Sequence, residues 1–492
     1  MSQLRKLAKD LLVYGWGEIL LKASLLITLP LYTRVLSPAD YGTWSYVTTL
    51  AGLVAAILAL GGDSAYSRLF HETKTESERQ ELTSTWLAFL AAWCFGVLLL
   101  FLPLIGPLSS WALGTDPHAG LVLALAMLAV PVTLINGTCA QVLRNRFQAR
   151  AFVNLNVLST LLSLGFSLTA AMVLKLGVPG ILGGALLGAL VMLPVRLYTV
   201  RDVLRPRFSL RVLGEFLRYG LPLVPASLAY WVFSASDRVM LGKLTTLDQV
   251  GLYAVALQLA SVFNLVIGAI GQAWGPFAIR LHEDDPEAAT GFFGQVMTYL
   301  LMGFGFLCVM LTAFAPELLR LVTTPAFYGA AVAVGPLALA MTAFASTQVT
   351  ALGISLTKKT GYLALFSWGA ALLNVLLNLL LMPRWGMLGA SVAMAAAYTF
   401  LTLAYGFQSQ RLMPIRYEAR RALVAIAVTL GLTLLLSWLS LPVSWLGGAF
   451  KLGTGVAFLV LLVLLGALDR REWTLVRKLW QGTRQAPATP TP

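Results

Sequence analysis

The chain has 492 residues, 58% of them hydrophobic and only 11% charged, with a mean hydropathy of +0.80. Soluble domains carry roughly 25% charged residues, so this composition fits a chain that lives in lipid. The formal net charge of +14 does not mark a nucleic-acid binder. Its basic residues are scattered over short segments between long apolar runs, where topology and anionic lipid account for them.

Fourteen apolar stretches reach the roughly 20 residues that a helix needs to cross the hydrocarbon core. They are continuous rather than alternating with period two, which selects helices over a barrel. They cover 11–33, 43–62, 84–104, 120–142, 153–174, 180–200, 218–241, 250–276, 292–314, 330–355, 361–382, 388–408, 421–440 and 450–469. The expected fold is an all-α polytopic membrane protein of about 14 transmembrane helices.

Span one carries Glu18 and Lys22, four residues apart on one helical face that Tyr14 extends. A charge inside a span costs about 2.5–3.5 kcal/mol on insertion scales. These two either neutralise each other or face a cavity, and both readings stand. Span two ends at Asp63, Ser64 and Arg68, at the mouth of the membrane. In span six, Gly184 and Gly188 form a small-xxx-small pair that signals close helix packing. Cys94, Cys139 and Cys308 fall inside spans, so neither a disulfide nor a metal site is expected, and no cofactor.

A short basic linker, 201–218, precedes span seven. There Ser227, Trp231, Ser234 and Arg238 are spaced 4, 3, 4 and share a face, with Tyr230, Ser234 and Asp237 on a neighbouring stripe. A polar and aromatic face suits a sugar, because rings stack and hydroxyls take hydrogen bonds. An interfacial aromatic belt and a snorkelling Arg238 are the structural alternative. Span eight carries Gln258, Ser261, Asn264, Gly268 and Gln272 along one face, suited to a cavity wall or to helix–helix hydrogen bonds. Glu18, Asp63 and Asp237 are the carboxylates best placed to bind a proton or Na⁺.

Of the 35 basic residues, 27 lie on the side that holds the N-terminus and 6 on the other. Both termini are therefore expected in the cytoplasm. No loop is long enough for a soluble domain, and no cleavable signal peptide is evident. The tail beyond 470 reads as a basic surface anchor with a disordered Pro/Ala/Thr-rich end.

An internal repeat organises the chain. Arg34–Gly42 (RVLSPADYG) and Lys243–Gly251 (KLTTLDQVG) stand 209 residues apart. The same offset maps Lys175-Leu-Gly177-Val-Pro-Gly180 onto Arg384-Trp-Gly386-Met-Leu-Gly389, and Arg150 onto Lys359. Two six-span halves follow, 1–205 and 206–415, with two added helices over 416–470 and a tail over 471–492. Six spans is even, so the repeats are parallel. The GxxxxGK[ST], HExxH, GxSxG and CxxC motifs are absent.

The block YGWGEILLKASLLITLPLYTRVLSPADYGTWSYV and the later DSAYSRLFHE strongly resemble the oligosaccharide/polysaccharide flippases of the multidrug/oligosaccharidyl-lipid/polysaccharide (MOP) exporter superfamily. Tyr32, Arg34, Leu36, Ser37, Pro38, Tyr41, Gly42, Arg68 and Glu72 carry the likeness, with Asp237, Arg238 and Val250-Gly251-Leu-Tyr253 in the second half. The resemblance implies a non-enzymatic flippase that moves undecaprenyl-diphosphate-linked oligosaccharide across the bacterial cytoplasmic (inner) membrane by alternating access. Coupling to H⁺ or Na⁺, through one of the carboxylates named above, and contact with polysaccharide assembly proteins are further expectations. Its cavity would be lined by spans one, two, seven and eight, with Tyr14, Glu18, Lys22, Arg68, Ser227, Trp231, Ser234, Arg238, Asn264 and Gln272 as candidates. The family cavity is often cationic, whereas here only Lys22 and Arg238 lie well inside these spans and acids accompany both. A multidrug antiporter of the same superfamily is the alternative. A membrane glycan polymerase or ligase is a more distant one, since such enzymes carry a large outer loop.

Overall fold

The helix starts are written in the sequence. Ser37 and Asp40 form a capping box: the Ser37 hydroxyl accepts from the Asp40 N–H and the Asp40 carboxylate accepts from the Ser37 N–H, ahead of Pro38 in the first turn. They open α1 (Pro38–Leu58). In the second copy, 209 residues on, Thr246 accepts from the Gln249 N–H at the start of α10 (Leu247–Ala260). The computed structural model describes residues 28–468 except 115, 206 and 440–444, without the side chains of 226, 230, 445 and 446. Expectations for Tyr14, Glu18, Lys22 and the tail lie outside these residues.

In chain order the other helices are α2 (Gly62–Glu72), α3 (Glu76–Phe101), α4 (Ile105–Leu113), α5 (Ala119–Asn145), α6 (Ala149–Leu168) and α7 (Gly177–Thr199). Then come α8 (Leu210–Gly220), α9 (Val224–Leu244), α11 (Val262–Asp284), α12 (Pro286–Val322), α13 (Ala331–Thr350), α14 (Leu352–Leu356), α15 (Gly361–Leu412), α16 (Ala419–Trp438) and α17 (Trp445–Leu464). Among the described residues, 11 helical segments are long and apolar enough to cross a membrane. One of them, α15, is broken at Gly386, whose φ of 54° and ψ of −130° are not helical, so it supplies spans eleven and twelve. Span seven corresponds to the helix pair α8–α9, which is not among those 11.

Backbone geometry carries the repeat. Gly177 and Gly386, 209 apart, both adopt positive φ, 56° and 54°. Phe147 and Lys358 also share a left-handed cap, φ 57° and 59°. The next N–H in each case reaches back to the helix, Gln148 to the Leu143 carbonyl and Lys359 to the Ile354 carbonyl. That cap has an offset of 211, so Gln148 and not Arg150 is the counterpart of Lys359. Two extra residues enter the second copy after Gly251, and the offset is back to 209 by Gly386.

The contacts divide the chain into two units. The first holds residues up to Gln258 with Val322–Ala330 and Ala371–Ala393. Here Gly180, Gly184 and Gly188 lie on α7, and a Cβ on any of them would meet the backbone of the preceding span at Ala170, Ser167 and Ser163. This is the packing expected of the Gly184/Gly188 pair. Arg196 belongs to the last turn of α7 and is 4% exposed. Its guanidinium donates to the Asn136 carbonyl at 3.0 Å and to Asn156 Oδ1 at 2.8 Å, tying α5, α6 and α7 together.

The second unit holds Leu259–Leu321, Ala331–Ala370 and the chain from Met394 on. Its core packs α12 against α16 and α17 around Val309, Ala425 and Phe458. Lys451 sits inside α17 at 2% exposure and pairs with Glu317 of α12 at 2.5 Å.

Candidate functional site

Within the first unit α1 and α9 run antiparallel and touch along their length. A Cβ on Gly242 would overlap the Tyr46 ring, Arg238 Nη1 donates to Thr49 Oγ1 at 3.2 Å, and the Trp231 indole nitrogen lies over Gly52. Toward the start of α1 the two repeat loops meet reciprocally. A Cβ on Gly42 would overlap the Leu247 carbonyl, and one on Gly251 would overlap the Pro38 carbonyl. Leu247 is the repeat counterpart of Pro38, so the same contact is made twice about a local two-fold axis. Glycine is required at both positions because two helix starts meet backbone to backbone.

The adjacent residues Asp237 and Arg238 point about 100° apart on α9 and enter different surroundings. Asp237 is 2% exposed. Its carboxylate accepts from the Tyr253 hydroxyl at 2.8 Å and from Asn378 Nδ2 at 2.6 Å. Asn378 Nδ2 also donates to Asn374 Oδ1 at 3.0 Å. The remaining amide atoms, Asn374 Nδ2 and Asn378 Oδ1, are buried with no hydrogen-bond partner among the described residues. A buried carboxylate beside two carbonyl-type oxygens is a donor set suited to a hard cation such as Na⁺, or to a proton held on the carboxylate. The expected Asp237 thus lies in a closed polar cluster of α9, α10 and α15.

Arg238 is half-buried. Among the described residues it has no carboxylate within ion-pair distance, so the acid beside it in sequence does not neutralise it by contact. On the same stripe Trp231 and Ser234 are half-buried, Ser234 donates to the Trp231 carbonyl, and Ser227 donates to the Leu223 carbonyl. A cation, an indole ring and two hydroxyls on one helix face can take a phosphate, stack on a sugar ring and bind its hydroxyls.

The remaining candidates fall elsewhere. Arg68 on α2 pairs with Glu72 at 2.9 Å, both side chains 57% exposed, and lies 4.7 Å from the Tyr219 ring centre. Asp63 is exposed at the start of α2. Asn264 and Gln272 belong to the second unit, both exposed on α11. The sequence reading missed Asn374 and Asn378. Two amides four residues apart in an otherwise apolar span were the available signal.

A family model described as "Polysaccharide biosynthesis protein" matches residues 7–282. The succinoglycan biosynthesis transport protein ExoT of Rhizobium meliloti (strain 1021) is 26% identical over 278 residues, 56% of this chain and 54% of that one. The chain thus spans about half the length of the curated relative it matches. Among solved structures, "Lipid II flippase MurJ, inward closed conformation" superimposes with a TM-score of 0.74 at 11% identity, over 94% of this chain and 100% of that one. An inward-facing multidrug resistance MATE family transporter of the MOP superfamily gives 0.64 at 15% identity, over 80% and 94%. At these identities the two structures establish a shared fold.

Proposed function

The chain belongs to the polysaccharide biosynthesis protein family and has the fold of the MOP transporters, and from that premise we propose that it is a flippase for a lipid-diphosphate-linked oligosaccharide. It would carry the glycan head from the cytoplasmic to the outer leaflet of a bacterial inner membrane, with both termini cytoplasmic and the lipid tail left in the bilayer. The observation that carries this reading is the α9 face, where Arg238 has no carboxylate partner among the described residues and stands beside Trp231 and Ser234. A cation for the diphosphate next to an aromatic and hydroxyl surface for the sugar is what such a substrate requires. The relative named for succinoglycan transport supports an exported polysaccharide as the end product.

Two parallel repeat halves, 1–205 and 206–415, rocking against each other would give alternating access. Asp237 with Tyr253, Asn374 and Asn378 is the proposed coupling-ion site, ahead of Asp63, which is exposed. Proteoliposomes loaded with a fluorescent lipid-diphosphate oligosaccharide test the reading through protection of the label from an external quencher. Faster leaflet exchange than in protein-free vesicles is the expected result. Gradient-driven movement of a cationic dye without glycan flipping would instead make the chain a multidrug antiporter.

A further inference from the structure

A groove of about 490 Å³ opens on the first unit between α3, α5, α7 and the linker that follows α7. Ala88 and Ala91, one turn apart on α3, are too short to fill it, and Ile135, Leu193 and Leu197 form its apolar walls. Its one charged lining residue is Arg205, at the end that carries the excess of basic residues. The linker there is fixed through its backbone. Gln80 donates to the Asp202 carbonyl at 3.0 Å, the Arg205 N–H to Ser84 Oγ at 2.8 Å, and the Ser209 N–H to Thr85 Oγ1 at 3.1 Å. Arg205 is thereby held at the mouth with its side chain exposed. Among the described residues its guanidinium has no hydrogen-bond or ion-pair partner. Arg201 lies nearby, stacked 3.8 Å from the Tyr198 ring centre, and Phe208 and Leu210 leave apolar side chains exposed beside it.

An apolar slot that ends at a cation with no partner among the described residues matches an anionic amphiphile. We propose that the groove binds one acyl chain of an anionic membrane phospholipid, with its phosphate on Arg205, and that this lipid holds the linker against α3. The volume suits a single acyl chain, and the polyprenyl chain of a carrier lipid is far bulkier. This site is independent of the transport reading, since every residue named lies outside the α9 face.

Native mass spectrometry of the full chain, released from vesicles of equal phosphatidylglycerol and phosphatidylethanolamine, tests it. Wild type should retain phosphatidylglycerol by about fivefold over phosphatidylethanolamine, as one arginine near an anionic headgroup implies. Arg205→Gln should bring the ratio close to one, while Arg211→Gln, at an exposed arginine outside the groove, should leave it unchanged. Ala91→Phe should fill the slot and strip the retained lipid of either headgroup. If that variant fails to fold, the exposed Arg205→Gln decides alone. Equal retention of the two lipids by wild type would overturn the proposal. So would a ratio indifferent to Arg205→Gln, or a polyprenyl phosphate as the retained species.

Discussion

At Asp237 and Arg238 one peptide bond separates two environments, a closed cluster with Tyr253 and Asn378 and a half-buried face against Thr49. Sequence alone shows that both charges lie in a span and that they diverge on a helix. Which neighbour each meets depends on α1, α10 and α15, which are brought together from distant parts of the chain, so the split was not legible. Their different surroundings predict different phenotypes. Arg238→Ala should reduce glycan flipping at least tenfold with membrane abundance close to wild type, and Arg238→Lys should restore part of it, because a point charge still attracts phosphate without the bidentate fork. Flipping assays normalised to protein amount check this, and full activity in Arg238→Ala would remove the residue from the site. Asp237→Ala should instead lower the thermal midpoint as well, because Tyr253 and Asn378 would lose a buried acceptor at about 1–3 kcal/mol.

At the level of helices, the small-residue signal read well because it acts locally, and capping is local in the same way. Ser37 with Asp40 starts a helix wherever the fold places it, and a glycine every fourth residue on α7 marks a face that admits another backbone. Gly184→Leu should therefore destabilise the first unit by about 1–3 kcal/mol or more through overpacking, since a Cβ there already meets the Ser167 backbone. Pairings between distant helices were not legible. Glu317 and Lys451 are 134 residues apart, and Lys451 alone, at the edge of its expected span, gives no sign of which acid it meets. Their burial gives a sharp expectation. Lys451→Met should cost about 3–5 kcal/mol by leaving Glu317 unpaired, and the double change with Glu317→Gln should recover most of that. Thermal unfolding of the two variants in one detergent is the measurement. A double variant as unstable as Lys451→Met alone would mean that the cost does not come from an unpaired Glu317.

For the whole molecule, the helical membrane-spanning fold was legible because it rests on patterns of tens of residues, and one landmark of the expected repeat recurs as a positive φ at both Gly177 and Gly386. The source of directional energy is not written in any such pattern. No nucleotide-binding loop is present in the sequence, yet a polar glycan must cross about 30 Å of hydrocarbon. One charge moved through the membrane potential contributes about 2.3 kcal/mol per 100 mV, so an ion that binds and leaves during the cycle is a sufficient drive. The Asp237 cluster supplies a carboxylate and an amide oxygen, Asn378 Oδ1, that has no hydrogen-bond partner among the described residues, in one buried place. Collapse of the proton and Na⁺ gradients should then slow initial flipping rates in proteoliposomes. Asp237→Asn should flip at the slow rate whether the gradients are present or not, because an amide keeps the hydrogen-bonding shape and loses the titratable, cation-binding charge. The comparison separates coupling from damage, since a merely unstable variant would still respond to the gradient in its folded fraction. Wild-type rates unchanged after both gradients are collapsed would show that substrate and product concentrations alone set the direction.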